Sequence, residues 1–377
     1  MEQIEATGII EYFSEIEDPR ADRGKRHLLL DIICIAILAV ICDANDYEEM
    51  EAYGLAKEQW LRSFLELPHG IPSDATFRRV FAVLNPEAWQ ACFLNWVRSL
   101  TLDVSEAEEV LAADGKTARG SRDGEIGGLH TVSVWSSQQG IVIGQSQVAD
   151  HSNEITALPD LIESLDIAGS VITTDALGTQ KQVAWAIKEH HAEYMLALKG
   201  NHPKLHDDVR WLFEDAENHA WLDIPHDYYE TSDKAHGREE HRKYWVLADL
   251  SVRDAEVIST WRGLNSVVCV ESQRTLKGQT SIEKRYYLSS LPCDAQRAAH
   301  AIRSHWSVEN NLHWVLDMTF REDESRVRKG HGQANWITLR HIALNLLKLD
   351  KTLNASIKVK RKRAGWDNDY LLHLIKS

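Results

Sequence analysis

Three carboxylates stand in local sequences suited to metal chemistry. Asp114 follows the apolar stretch Val110–Ala113 and opens Asp-Gly-Lys-Thr. Asp175 ends the β-rich run Val171-Ile-Thr-Thr174, and Glu309 lies in Arg303-Ser-His-Trp-Ser-Val-Glu309-Asn-Asn-Leu-His313, which reads as a helix. Hard oxygen donors projecting from two strand ends and a helix suit a pair of Mg²⁺ ions, with Mn²⁺ as a substitute. Two such ions can activate a water and stabilise the leaving oxygen of a phosphodiester. The chemistry implied is the cutting and joining of DNA. An Asp after a strand is often only a turn residue. Apolar strand followed by Asp, twice in one segment, carries more weight than either alone.

The helix around Glu309 adds to this set. Trp306, Glu309, Asn310, His313 and Asp317 fall at helical spacing and share a face. Val308, Leu312, Val315, Leu316 and Thr319 form an adjacent apolar stripe that would face a core. A plain surface pair between Glu309 and His313, four apart, is the bland alternative. A zinc site built on His305 and His313 ranks lower. These residues are eight apart and diverge by roughly 80° around a helix, and the His-Glu-x-x-His arrangement of zinc proteases is absent. Trp306, one turn before Glu309, is expected to be exposed and to stack on an unpaired base. The competing reading is a core indole.

The elements that must position these groups follow from pattern. Residues 1–105 read as a helical domain. Leu28–Cys42 is one apolar helix, and Asp46–Phe64 is an amphipathic one. A turn at Pro68-His-Gly-Ile-Pro72 leads to a short helix Asp74–Leu84, with Ser73 as its N-cap. Arg78 and Arg79 on that helix give it the look of a helix-turn-helix reader, and equally of an ordinary packed hairpin. From about residue 106 the pattern turns to strands at Val110–Ala113, Leu129–Val134, Ile141–Val148, Val171–Thr174 and Tyr194–Leu198. Helices are expected at Ala157–Leu165 and Gln180–His190. This is an α/β domain over 106–377, a mixed sheet with flanking helices. Strands without intervening helices at His241–Leu247, Ser266–Glu271 and Lys284–Leu288 mark an inserted β subdomain at about 222–292. Helices then resume from Asp294.

Composition bounds the function. The chain has 377 residues, 44% hydrophobic and 26% charged, as a globular protein of two or three domains would. Its longest apolar run, Ile32–Cys42, is far short of the ~20 residues that span a bilayer. The acidic N-terminus is unlike a signal peptide, and the five cysteines form no Cys-x-x-Cys pair. A cytoplasmic protein with reduced thiols is expected. The net charge of −15 argues against a nucleic-acid partner taken whole. Its distribution weakens that objection, since residues 297–377 hold 15 basic against 8 acidic side chains and residues 1–110 hold 9 against 21. The run Lys358-Val-Lys360-Arg361-Lys362-Arg363 could neutralise phosphates or be a solvated tail.

Several motifs together carry a family resemblance. Asp18-Pro-Arg, Gly24-Lys-Arg-His27, His69-Gly-Ile-Pro-Ser73 and Thr76-Phe-Arg-Arg-Val-Phe81 are similar to one associated N-terminal domain. Ala113-Asp-Gly-Lys-Thr-Ala-Arg-Gly-Ser121, Ser152-Asn-Glu-Ile-Thr-Ala157 with Thr174-Asp-Ala-Leu-Gly-Thr-Gln-Lys181, and His305-Trp-Ser-Val-Glu-Asn-Asn-Leu-His-Trp-Val-Leu-Asp317 are similar to three catalytic motifs. Ala197-Leu-Lys-Gly-Asn201 and His236-Gly-Arg238 also fit. The chain resembles bacterial insertion-sequence transposases of the DDE type, in the H-repeat-associated group, over nearly its whole length. The resemblance implies a ribonuclease-H-like fold, a β insertion before the catalytic Glu, and two Mg²⁺ ions. Asp114 would bridge both ions, with Asp175 and Glu309 each holding one. It also implies double-stranded DNA, both element ends and target, as the partner of a homodimer. Candidate DNA contacts are Arg78, Arg79, Lys116, Lys199, Arg303, His305, Trp306, His313, Lys360, Arg361, Lys362 and Arg363. Cut-and-paste relatives place Tyr, Arg and Lys at fixed offsets from the Glu. Here those positions hold Ile302, His305 and Leu316, so that wider signature is not met. His151 and Asp74-Ala75 are further departures.

Overall fold

The computed structural model describes residues 8–100, 108–118, 120, 128–148, 154–235, 238–248, 250, 259–276 and 278–376. Arg119, Ser121, His151–Asn153 and His236-Gly237, which belong to the motifs above, lie outside these residues. At the centre β1 (Val110–Thr117), β2 (His130–Ser136) and β3 (Ile141–Val148) form an antiparallel meander. β4 (Val171–Thr174) lies parallel to β1, and β5 (Glu193–Leu198) lies parallel to β4. Parallel neighbours need crossover connections. These are α5 (Glu154–Glu163) before β4 and α6 (Lys181–Glu189) before β5. The order β3-β2-β1-β4-β5 is the ribonuclease-H-like arrangement.

The β insertion continues this sheet instead of forming a sheet of its own. β6 (His226–Ala235), β7 (Arg238–Leu247), β8 (Ser266–Leu276) and β9 (Gln279–Ser289) make a meander, and β9 pairs antiparallel with β5. Among the described residues the result is one nine-stranded sheet, ordered β3-β2-β1-β4-β5-β9-β8-β7-β6. The sequence hides β6 because His226-Asp-Tyr-Tyr-Glu-Thr-Ser-Asp has no apolar alternation. It shortens β8 and β9 because only their sheet-embedded halves, Ser266–Val270 and Tyr286–Ser289, are buried.

The N-terminal helices follow the apolar pattern closely. α1 (Leu29–Ile41) is buried on every side, as a helix apolar all round must be. α2 (Tyr47–Leu61) begins at Asp46, whose carboxylate accepts the Glu49 N–H at 2.8 Å. Ser73 does precede α3 (Asp74–Val83), but its hydroxyl lies 3.2 Å from that of Thr76 and caps nothing. Glu51 Oε2 takes the Asp74 N–H instead, at 2.8 Å. α4 (Pro86–Ser99) starts from Asn85, whose side chain accepts from Glu87 and Ala88. α7 (Pro203–Asn218) packs on β9. None of these helices, nor any other among the described residues, is long and apolar enough to cross a membrane. All five cysteines are free thiols.

One C-terminal helix joins both halves. α10 (Gly332–Leu349) packs against α1, α3, α4 and β3, so the N-terminal helices and the sheet share a single core. Asn335 on α10 is fully buried; its Nδ2 donates to Phe81 O at 2.8 Å and Leu84 O at 2.9 Å, satisfying carbonyls at the end of α3. Its own carbonyl accepts Trp89 Nε1–H from α4 at 3.1 Å. Replacing Asn335 by Ala strands two buried carbonyls, a loss of about 2–3 kcal/mol. Urea unfolding followed by circular dichroism should show that loss in one cooperative transition. An unchanged midpoint would show that the joint is dispensable.

Candidate active site

The register of β1 on β4 sets the site. Val110 pairs with Val171, and the ladder runs to Ala113 opposite Thr174. The next step places Asp114 beside Asp175. Side chains alternate across a strand, so Val110, Ala112 and Asp114 share a face with Val171, Thr173 and Asp175. That face packs under α8 (Ala295–Val308), where Val110 and Val171 meet Ala298, Ala299 and Ile302. Asp114 is not at a strand end as expected. β1 continues to Thr117 because its other edge pairs with β2, Asp114 opposite Ser133 and Thr117 opposite His130. Asp175 does end β4, and its Oδ1 accepts the N–H groups of Leu177 at 2.9 Å and Gly178 at 3.1 Å.

α8 brings the third carboxylate. Alanines at 295, 298, 299 and 301 line its buried side and let the helix lie close on the sheet. Its start is fixed twice: Asp294 caps the Arg297 N–H at 2.8 Å, and Asp227 on β6 accepts the Ala295 N–H at 2.7 Å. After Val308 the helix passes through a π-helical turn, Glu309–His313, before α9 (Trp314–Thr319). Such turns insert a residue and re-aim side chains, often at functional sites. Glu309 emerges into solvent here while Leu312 and His313 stay buried. His313 Nδ1 lies 3.5 Å from Asp114 Oδ2 and 3.9 Å from Glu309 Oε2. Ligand atoms of Asp114, Glu309 and His313 all fall within 4.8 Å of one another.

Asp114, Asp175 and Glu309 line one cleft of about 370 Å³, together with Lys199, His305 and Trp306. His305 Nδ1 pairs with the Thr173 hydroxyl at 2.9 Å. Burial pushes the His305 imidazole down to about 4 despite the nearby Asp175 carboxylate. Burial likewise lowers His313 to about 4, reinforced by the Lys116 charge. Both rings are therefore neutral at pH 7. β9 closes the far wall with Glu283, Arg285 and Tyr287, none of which the sequence pointed to. The Arg285 guanidinium sits 5.4 Å from the centre of the Trp306 ring and is held by Glu283 through two 2.9 Å hydrogen bonds. The clue available in sequence was the alternation along β9, which puts 283, 285 and 287 on one face.

Comparison with known proteins shows the family. Residues 105–346 match the family described as Transposase DDE domain, and residues 10–97 match the one described as DDE_Tnp_1-associated. The chain belongs to the DDE transposase family. It is 36% identical to the "H repeat-associated putative transposase YhhI" of Escherichia coli K12, covering 99% of this chain and 98% of that one. It is 35% identical to the "Putative transposase YncI" of Escherichia coli O157:H7, over 98% and 94% of the two chains. A cryo-EM structure of the piggyBac transposase synaptic complex with hairpin DNA aligns with 97% of this chain and 77% of its own, at 10% identity and a TM-score of 0.46.

Within this DDE-family chain the residues expected to meet DNA divide sharply. Arg78, Arg79, Lys199, Arg303, Trp306, Lys362 and Arg363 are exposed. Arg78 pairs with Asp74 at 3.1 Å, and Trp306 is 44% exposed, so the core reading of its indole is wrong. Other expectations fail because the side chains are committed inside the protein. Lys116 turns into Asp317 at 2.7 Å and Glu322 at 2.9 Å; burial would lower its amine, but these carboxylates hold it above its usual value. His305 is a wall of the carboxylate cleft, and His313 lines a small cavity beside Lys116 and is too buried to be half of a surface pair with Glu309.

The C-terminal basic run is split by the helix it forms, α11 (Ile357–Trp366), which precedes α12 (Asn368–Lys376). Lys360 donates to Leu347 O at 2.9 Å and pairs with Asp350 at 3.3 Å. Arg361 is 1% exposed; it donates to Val40 O at 2.8 Å and to Thr319 O, and pairs with Asp43 at 2.9 Å. It thus closes the C-terminal ends of α1 and α9. Neither Lys360 nor Arg361 is available to phosphates. Arg361→Ala should cost about 2–3 kcal/mol in a urea melt, because it leaves the Val40 and Thr319 carbonyls without their donor. Lys362→Ala and Arg363→Ala should leave the melt unchanged and weaken binding to duplex DNA. Equal melting midpoints for Arg361→Ala and Lys362→Ala would contradict this division.

Proposed function

We propose that the chain is a metal-dependent DNA transposase, with Asp114, Asp175 and Glu309 as its catalytic carboxylates. The observation that carries this reading is the convergence of the three on one cleft from β1, β4 and the π-turn. The donor set fits divalent cations, since oxygen atoms of Asp114 and Glu309 and a neutral imidazole nitrogen lie within 4.8 Å of one another. Asp114 would be shared between two Mg²⁺ ions, with Asp175 and Glu309 each holding one. Bound there, the ions supply Lewis acidity to the attacking and leaving oxygens of the phosphodiester.

The chain's own residues supply the rest. In cleavage, water adds to phosphorus at the element end as the bond to the 3′ oxygen breaks, freeing a 3′-OH. In strand transfer that 3′-OH attacks a target phosphodiester, so one bond forms for each one broken. Lys199 at the cleft can neutralise a phosphate. Arg274 and Arg303 on an adjoining groove of about 490 Å³ can do the same along the strand, whereas Arg242 and Arg285, which also line it, are paired with Glu240 and Glu283. Trp306 lines both hollows and offers its ring to an unstacked base, an interaction worth about 1–3 kcal/mol. His305, neutral and fixed by Thr173, stands beside Asp175 in the cleft. An element has two ends, so the reaction calls for two copies of the chain on DNA.

Asp114→Asn, Asp175→Asn and Glu309→Gln each keep shape and remove charge. Each should lower Mg²⁺-dependent cleavage of DNA taken from the flanks of the gene by about 10³-fold or more. Folding and DNA binding should persist in all three. Normal cutting by all three variants would sink the assignment.

A further inference from the structure

We propose that His313 is a metal ligand of this site, so that the ion held by Glu309 has a mixed nitrogen–oxygen shell and favours Mn²⁺ over Mg²⁺. The inference rests on the reading of Asp114 and Glu309 as metal-binding carboxylates and adds a ligand and an ion preference to it.

The distances are too long for hydrogen bonds and short enough for one ion to be shared. His313 Nδ1 lies 3.5 Å from Asp114 Oδ2 and 3.9 Å from Glu309 Oε2. A hydrogen bond to a carboxylate would bring nitrogen and oxygen to about 2.7–3.2 Å. Two ligands of one octahedral ion at about 2.1 Å stand about 3 Å apart when adjacent and about 4.2 Å when opposite. The observed separations fall between those limits. The ring is only 8% exposed, so it cannot turn out to water, and its Nε2 is buried without a partner. On that side a small cavity of about 10 Å³ is shared with Thr131, Ser133, Glu322 and His341. Thr131 Oγ1 and Glu322 Oε1 are also buried there without hydrogen bonds. The space is about that of one water, which would tie Nε2–H to these oxygens and leave Nδ1 facing the carboxylates, the outer support a ligating imidazole usually has. His305 does not compete, because the ligand atoms that lie within 4.8 Å of one another belong to Asp114, Glu309 and His313 and not to His305. Imidazole is a better donor to Mn²⁺ than to Mg²⁺, which prefers oxygen.

The test is pulsed EPR of Mn²⁺ added to the full chain, natural and with ¹⁵N-labelled histidine. The expected spectrum shows ¹⁴N coupling to bound Mn²⁺ that becomes ¹⁵N coupling on labelling. His313→Gln should lose the coupling and weaken Mn²⁺ binding by about 10–100-fold, with Mg²⁺ binding little changed. His305→Gln should keep the coupling. Mn²⁺ that binds, and is lost in Asp114→Asn, but shows no histidine coupling would overturn the ligand assignment and leave the carboxylate reading standing. Failure of Asp114→Asn to weaken Mn²⁺ binding would overturn both. The labelled natural chain shows whether histidine binds the ion even if His313→Gln does not fold.

Discussion

The parallel pairing of β1 with β4 decides where two of the three acidic groups stand. Its register, Ala113 opposite Thr174, leaves Asp114 and Asp175 abreast, on neighbouring strands whose spacing the backbone hydrogen bonds hold at about 4.8 Å. Backbone N–H groups then hold the side chains, Gly115 donating to Asp114 and Leu177 and Gly178 to Asp175. A one-residue slip would turn every side chain of one strand to the opposite face and part the pair. The register is protected because Val110 and Val171 are buried under α8 while Leu111 and Ile172 are buried on the other side.

The third acid depends on how α8 is held, and the fold commits several charged groups to that task. Asp227 and Asp294 fix its first turn, and Glu108 binds Arg297 near it. Beyond the π-turn, Lys116 grips Asp317 and Glu322, and Arg361 donates to the Thr319 carbonyl at the end of α9. Lys116 is two residues beyond Asp114 on the same face of β1. One strand therefore carries an acid of the cleft and the cation that anchors the helix bearing another. Such buried pairs contribute little net stability over apolar packing, yet removing one partner is costly. Their value here is geometric.

What could be read in the sequence follows the same division. The sheet core was legible because Val110–Ala113 is apolar, Val171–Thr174 is a short β-rich run and Ile141–Val148 holds β-branched and alternating residues, and α1 because it is apolar throughout. Asp114 and Asp175 stood out because each follows an apolar or β-rich run, and Glu309 because it shares a polar helix face with Trp306 and His313. What pattern could not reveal was commitment. Lys116, Lys360 and Arg361 are basic residues in a sequence rich in exposed charge, and only tertiary contacts show that they face inward. The π-turn was invisible too, since Glu309-Asn-Asn-Leu-His313 fits ordinary helical spacing. So was β6, whose polar residues pair with β7 through the backbone ladder and through cross-strand ion pairs such as Lys234 with Glu239. Arg285 behind Trp306 depends on the joining of β9 to β5, a pairing between segments about ninety positions apart.

Asp114, Asp175 and Glu309 must form one metal-binding centre if this chemistry is right. Crystals of the chain soaked in Mn²⁺ and measured at the manganese absorption edge would locate the ions directly. Anomalous density is expected within about 2.0–2.5 Å of an Asp114 carboxylate oxygen, with Asp175 or Glu309 completing each shell. Density confined to the acidic residues around Lys116, at Asp317, Glu322 and Asp323, with none at Asp114, would contradict a shared carboxylate centre.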